Sequence, residues 1–443
     1  MTRANCYRLV LWAISLALVA TLGQAWADEA GAPCTTCEPA AAPPAPPLPN
    51  FGGCCWTREK LTGDWDGWRT DLACNGITLD ADETLFFGGI ASGGLGQQFN
   101  TAGHGDYVVN VDGQKAFGCQ GFFIKLRAEH RYGDNADADA GTLLSPELIT
   151  DLPFRDSDQV ALTDVLFTQA LSENFALFAG KLDTLDGDPN AYASGRGKTQ
   201  FSNTAMVINP TLLRVVPYST LGTGFIILED MQPIFMFSLL NGVDTTGTSG
   251  FEDLFGDGAA LTAQLRLPTT FFGLPGHQLI GGAWNSHDYV SLGQDPRILL
   301  PDVPIARTSD TWGLYYNFDQ ALIVDPCNAQ RNWGVFGRVG VADDRVSPAE
   351  SFFSFGFGGA SPFGARPADT FGVGWYDAIT SDKIGPIIST IYGPIGDGQA
   401  VELFYNYEVT PYCHVTPDLQ VLVPARENVN TSLFLGLRVK VDL

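Results

Sequence analysis

Through much of the chain, apolar residues fall on every second position. In the segment from Phe122 to Arg131, Phe122, Ile124, Leu126 and Ala128 take one parity, and Lys125, Arg127, Glu129 and Arg131 take the other. Successive strand side chains point to opposite faces, so this segment predicts a β-strand with one apolar and one charged face. The pattern recurs. Leu261, Ala263, Leu265 and Leu267 alternate with Thr262, Gln264 and Arg266; Val401, Leu403, Tyr405, Tyr407 and Val409 alternate with Glu402, Phe404, Asn406 and Glu408. Trp333, Val335, Val339 and Val341 share a parity opposite Arg338. At the chain end Leu433, Leu435, Leu437, Val439, Val441 and Leu443 form one row, with Ser432, Arg438, Lys440 and Asp442 between them. A single such strand also suits the outer sheet of a soluble β-sandwich. A soluble protein that ended on such a row would expose an aggregation-prone edge, whereas a spanning strand needs one apolar face for lipid and one polar face for the lumen. The pattern therefore predicts an all-β chain folded as a transmembrane antiparallel β-barrel.

Two stretches depart from alternation. Around residues 61–76, Asp64 or Asp66 can cap a short N-terminal helix, Trp68 and Leu72 lie four apart on one helical face, and Gly76 suits the C-terminal stop. Trp65 and Trp68 are expected to pack this helix. Before it, Glu38 to Pro49 is mostly Pro and Ala, a composition that favours an extended spacer. At the start, Arg3 and Arg8 precede an apolar run from Leu9 to Leu22 and a small-x-small site at Ala25-Trp26-Ala27. That run is shorter than the ~20 residues of a membrane span, so residues 1–27 read as a secretory signal peptide. Residues 28–60 then read as a Pro/Ala-rich periplasmic arm and 61–443 as the barrel.

Export changes the reading of the cysteines. Cys34, Cys37, Cys54 and Cys55 flank the spacer; the second pair lacks zinc-ribbon spacing, and disulfides are the expected fate outside the cytoplasm. Cys327 and Cys413 fall near strand ends, where pairing is open but not deducible. The formal net charge is −24, and it becomes two units more negative without Arg3 and Arg8. Such a balance excludes nucleic acid as a partner and gives any lumen a field that repels anions. No Gly-x-Ser-x-Gly, His-Glu-x-x-His or nucleotide-binding Gly-rich loop occurs, and the five histidines are scattered.

Three segments resemble the carbohydrate-selective porin family (OprB type). Leu61-Thr-Gly-Asp-Trp-Asp-Gly-Trp-Arg-Thr70 is similar to that family's N-terminal signature, with Asp66 where the family usually has Gly. Phe178-Ala-Gly-Lys-Leu-Asp183 running to Asp188-Pro-Asn-Ala-Tyr192 is the second. The third comprises Glu402 to Tyr407, Val415 to Gln420, and Gly436-Leu-Arg438. The resemblance implies sixteen strands with a loop folded into the pore, an outer-membrane location, passive diffusion of small sugars, and no catalysis. It implies as partners the outer-membrane lipid, the barrel assembly machinery that reads the last strand, and two further copies in a homo-trimer. Spacing by itself does not choose sixteen strands over eighteen.

In a pore the site is a constriction, where polar groups replace part of a sugar's hydration. The first candidates are Lys125, Arg127, Glu129 and Arg131 on one strand; the alternative is a charged ladder that supports the wall. The second set is Asp183, Asp186, Asp188, Arg196 and Lys198, in a Gly-punctuated segment of mixed charge suited to an inward loop. The spacing Asp183, Asp186, Asp188 also hints at Ca²⁺, although it lacks the EF-hand pattern. No other cofactor is expected. Competing readings are a general non-selective porin, a non-conducting barrel that anchors a partner through its arm, and a barrel-embedded hydrolase.

Overall fold

A computed structural model describes residues 51–443 apart from Asp253, Leu299, Ala365 and Gly385, so the expected signal peptide and most of the Pro/Ala arm lie outside the described residues. Inside a bilayer the backbone finds no water, so a sheet can cross only by closing on itself. The chain does this. Strands β1 (Ile77–Gly94), β2 (Phe99–Asp112), β3 (Phe122–Gly133), β4 (Ala161–Ser172) and β5 (Phe175–Asp183) begin the wall. They are followed by β6 (Ser219–Glu229), β7 (Gln232–Asn241), β8 (Ala259–Phe271) and β9 (Leu274–Asn285). A short ribbon, β10 (Tyr289–Val290) with β11 (Arg307–Thr308), stands apart from the barrel. The wall resumes with β12 (Thr311–Asp325), β13 (Asn328–Ala342), β14 (Ala349–Ala360) and β15 (Thr370–Thr380), and ends with β16 (Gly398–Thr410), β17 (Cys413–Val423) and β18 (Asn430–Asp442). Each barrel strand pairs antiparallel with its neighbours, and β1 closes on β18, giving the sixteen strands that the resemblance implied.

The expected parity holds. In β18, Leu435 and Leu437 are exposed on the outside while Phe434 and Arg438 are buried within. Across the closing seam Leu85 pairs with Val439 and Phe87 with Leu437, so both outer rows meet the lipid together. Trp284 and Trp312, exposed and directly paired between β9 and β12, supply amphipathic rings toward the loop end. At one end of the barrel the connections are tight, as at Glu173–Asn174, Asp230–Met231, Phe272–Gly273 and Pro411–Tyr412. Asp230, Met231, Phe272 and Gly273 all have positive φ, the geometry that two-residue hairpins prefer. The other end carries loops 134–160, 184–218, 242–258, 286–310 and 381–397.

The N-terminal helix forms over Trp68–Cys74 and stops before Gly76 at φ +85°. Its packing differs from expectation. Trp68 is 72% exposed and Trp65 44%, and the buried face carries Arg69 and Ala73. Arg69 decides the orientation: its Nη2 donates to the carbonyls of Leu79 and Leu443, each at 2.8 Å, so the helix clamps the first strand to the chain end. Asp64 accepts from Thr70 N at 2.8 Å, while Gly67 occupies the cap position. Cys54, Cys55 and Cys413 are free thiols, which sets aside the disulfides expected of Cys54 and Cys55 and a Cys327–Cys413 bridge.

Asp66 has φ +57°, the left-handed region in which glycine carries no penalty. Asp66→Gly should therefore leave the barrel's thermal stability unchanged or slightly raised. Asp66→Val should cost about 1–2 kcal/mol locally, read as faster hydrogen exchange of residues 61–76.

Candidate functional site: a lumen filled by two loops

The loop 184–218 turns into the barrel and is fixed to the far wall. Arg338, buried on β13, places Nε 2.6 Å from Asp188 Oδ2 and donates to the carbonyls of Met206 (2.8 Å) and Ala193 (2.5 Å). Arg438 on β18 donates to the carbonyls of Gly197 and Gln200, each at 2.5 Å. Glu402 on β16 accepts from the Ser202 and Asn203 amides at 2.6 and 3.1 Å. Phe201 packs edge-on against Phe336 and Phe404, at 5.3 and 4.8 Å between centroids. This approach requires glycine on the wall. A Cβ on Gly340 would meet Asn209 and Thr211 at 2.5 Å, and one on Gly374 would meet Met206 Sδ at 2.9 Å.

On the opposite wall most of the sequence-predicted residues converge. Arg127 contacts Asp106 (3.2 Å), Asp183 (3.0 Å) and Asp186 (3.2 Å). Arg196 reaches Glu129 and Asp183 at 2.8 Å and Asp186 at 3.1 Å. Lys198 bridges Asp82 (2.8 Å) and Asp106 (3.1 Å), and Lys125 pairs with Asp164 at 2.8 Å. Glu129 also accepts from Tyr218 Oη at 2.7 Å and Thr163 Oγ1 at 2.6 Å. Two candidates fall outside this network. Asp188 belongs to Arg338, and Arg131 donates to the carbonyls of Thr150 (2.8 Å) and Arg155 (3.1 Å), which holds the other inward loop, 134–160.

The spacing of Asp183, Asp186 and Asp188 therefore does not gather a calcium site. Two guanidinium groups occupy the first pair and Arg338 takes the third, and no group of potential ligands assembles among the described residues. Arg127, Glu129, Arg131, Arg196 and Lys198 are buried, whereas Asp186 and Lys125 present 54% and 32% of their side chains to solvent. Both line a cavity of about 460 Å³ between the two inward loops and strands β3 to β9 and β12.

A closed barrel, a loop drawn into it and a lumenal charge network are the parts of a diffusion pore, and sequence comparison supplies the class. Residues 96–443 match the model of the carbohydrate-selective porin, OprB family. The chain belongs to this family. The high-pH structure of Pseudomonas putida OprB is similar in fold, with a TM-score of 0.75 at 18% identity over 88% of this chain and 99% of that one. The low-pH structure of the same protein gives 0.54 at 17% identity, with the same coverage. Among curated proteins none matches the sequence. The porin is thus a carbohydrate-selective outer-membrane channel and not an enzyme.

Sequence reasoning missed several residues that hold the porin's loops. Arg338 and Arg438 stand on the polar parity of their strands, which was the available signal; Asp82, Asp106 and Asp164 were obscured by the abundance of acids. Glu147, at the centre of loop 134–160, gave no signal. It is buried close to Gly88 of β1, where a Cβ would meet its Oε1 at 2.6 Å. Burial, then the neighbouring Asp418, pushes its carboxyl up to about 8; Asp137 and Asp151 add to this and Arg438 opposes it. Burial and then Asp151 likewise push Asp137 up to about 7.

A carboxyl raised in the folded state keeps a proton that the opened loop releases. Its stabilisation is therefore complete below its ordinary value of 4.5 and declines as pH rises to about 8. The protection factors of amides in 134–160, which remove the intrinsic pH dependence of exchange, should fall across that window, and Glu147→Gln should flatten most of that slope, leaving the part due to Asp137. Arg338→Met should strand Asp188 and the carbonyls of Ala193 and Met206, costing about 3–5 kcal/mol. Loss of protease resistance in 184–218, with the barrel still folded, would be its readout.

Proposed function

We propose that the channel passes small sugars by passive diffusion, and that Lys125 and Asp186, with Asp164 behind them, form its solute-contacting edge. The observation that carries this is the exposure of Asp186. Both Arg127 and Arg196 bind its Oδ2, yet over half of the side chain still faces open space. A carboxylate held by two guanidinium groups is pre-oriented, so it can accept from sugar hydroxyls with little loss of entropy. Arg127, Glu129, Arg131, Asp183, Asp188, Arg196 and Lys198 serve the constriction indirectly, by fixing the loops that shape it.

The network favours cations over anions. Asp82, Asp106, Glu129, Asp164, Asp183 and Asp186 outnumber Lys125, Arg127, Arg196 and Lys198, and Arg127 is already matched by its carboxylates. Although burial works against it, Arg196 and Arg127 hold the Asp186 carboxyl below its ordinary range, so it stays charged in mildly acidic medium.

The remaining parts follow from the ends of the barrel. Short turns face the periplasm in such barrels and long loops face outward. Residues 51–76 lie at the short-turn end, which supports export by residues 1–27, a periplasmic arm over 28–60, and insertion by the barrel assembly machinery reading β18. Assembly as a homo-trimer is part of the same reading.

In planar bilayers the purified porin should show stepwise conductance with cation-preferring reversal potentials, blocked by glucose at millimolar concentration. Asp186→Asn should move the reversal potential toward zero and weaken glucose block roughly five-fold, equivalent to about 1 kcal/mol. A folded barrel without conductance would turn the reading toward a structural anchor.

A further inference from the structure

Barrel lumens are normally polar, but the lining of this cavity includes a group of aliphatic side chains. Ile226 on β6 and Met236 on β7 are direct cross-strand partners, both half-buried and both on the lumenal side, with Leu166 of β4 nearby in the same lining. The inward loop adds Leu212, Leu213 and Val216 from its returning limb, and Leu213 is 48% exposed although it lies within the lumen. The same lining carries Asp186 and the Lys125–Asp164 pair, with Lys125 directly across from Leu166 on the neighbouring strand. One cavity of about 460 Å³ thus combines ionic groups with a mainly aliphatic floor, bordered by Gln264 beside Met236.

A bare sugar fits only half of this space. Its hydroxyls point outward all round the ring, and each one pressed on the aliphatic floor would lose water without gaining a partner, at a cost of about 1–3 kcal/mol. An unsubstituted ring can lay only a C–H face on the floor and covers less of it than an apolar aglycone would. A solute with a sugar at one end and an apolar ring at the other satisfies both halves. Space is sufficient, because an apolar cavity of roughly 150 Å³ already accommodates benzene.

We propose that this floor is a lumenal subsite for the apolar aglycone of a glycoside, so that aryl glycosides are a preferred solute class of this channel. The inference rests on the reading of the Asp186 edge as the sugar contact. Transfer of the aglycone from water onto Ile226, Met236 and Leu213 adds to binding without altering the polar contacts of the sugar.

The test compares block of the ion current by phenyl β-glucoside and by glucose in planar bilayers containing the full-length porin. Phenyl glucoside should reach half-block at a concentration at least ten-fold below that of glucose. In the double variant Ile226→Thr, Met236→Gln, which keeps both strands β-compatible, the ratio should fall toward one. Leu213→Ser, on the loop and outside the wall, should lower it in the same direction and checks that lost barrel stability is not the cause. A ratio near one in the unmodified porin, with glucose still blocking, overturns the aglycone subsite alone. A high ratio that survives all three substitutions overturns it as well. Absence of block by either compound, in a channel that conducts, removes the sugar edge and the subsite together.

Discussion

A peptide group inside hydrocarbon has no partner other than another peptide group, and the rest of this molecule is arranged around that constraint. Sixteen strands satisfy it by closing β1 on β18, and the closure makes the first and last residues of the barrel neighbours. Arg69 uses that proximity. One guanidinium nitrogen donates to carbonyls on both sides of the seam, at Leu79 and Leu443, so the short helix before the barrel fastens the point where the sheet meets itself. The polar face that closure turns inward then needs partners of its own, and the two inward loops provide them.

Loop 184–218 is held by three different means. Buried arginines on β13 and β18 donate to its backbone carbonyls, Glu402 accepts from its amides, and the Arg127–Arg196 network joins its acidic start to β2 and β3. Burying so many charges is tolerable because each has several partners; removing one side would leave the other uncompensated in a low-dielectric space. The glycines at Gly340 and Gly374 belong to the same design, since the loop lies where their side chains would be. Charge that is spent on holding a loop is not available to a passing solute. The lumen therefore separates into saturated groups that give shape and a small edge, around Lys125 and Asp186, that stays wet.

Much of the fold was legible in the chain because a membrane strand must declare both of its faces. Alternation at Leu433–Leu443 and at Phe122–Arg131 placed lipid and lumen on the correct parities without reference to any neighbour. The N-terminal helix was legible in position but not in orientation. Apolar spacing favoured Trp68 and Leu72 as its buried face, whereas the unmet carbonyls at the seam made Arg69 the stronger claim.

Sequence alone determined the class of molecule, the direction of every readable strand face, and the short list of charged residues that would meet inside. It could do so because period-two alternation and local charge are properties of neighbours along the chain. Only the tertiary structure decided which of those charges are free. Arg127 and Glu129 lie two residues apart on one strand, yet their partners Asp183 and Arg196 come from more than fifty residues away. Asp183, Asp186 and Asp188 look like a single cation site in the chain and are divided between two walls of the barrel in space. Ile226, Met236 and Leu213 are unremarkable apart, and they line one cavity because the loop returns into the lumen beside paired strands. Contacts of that kind depend on where a loop folds back across the lumen, and no local pattern records the path.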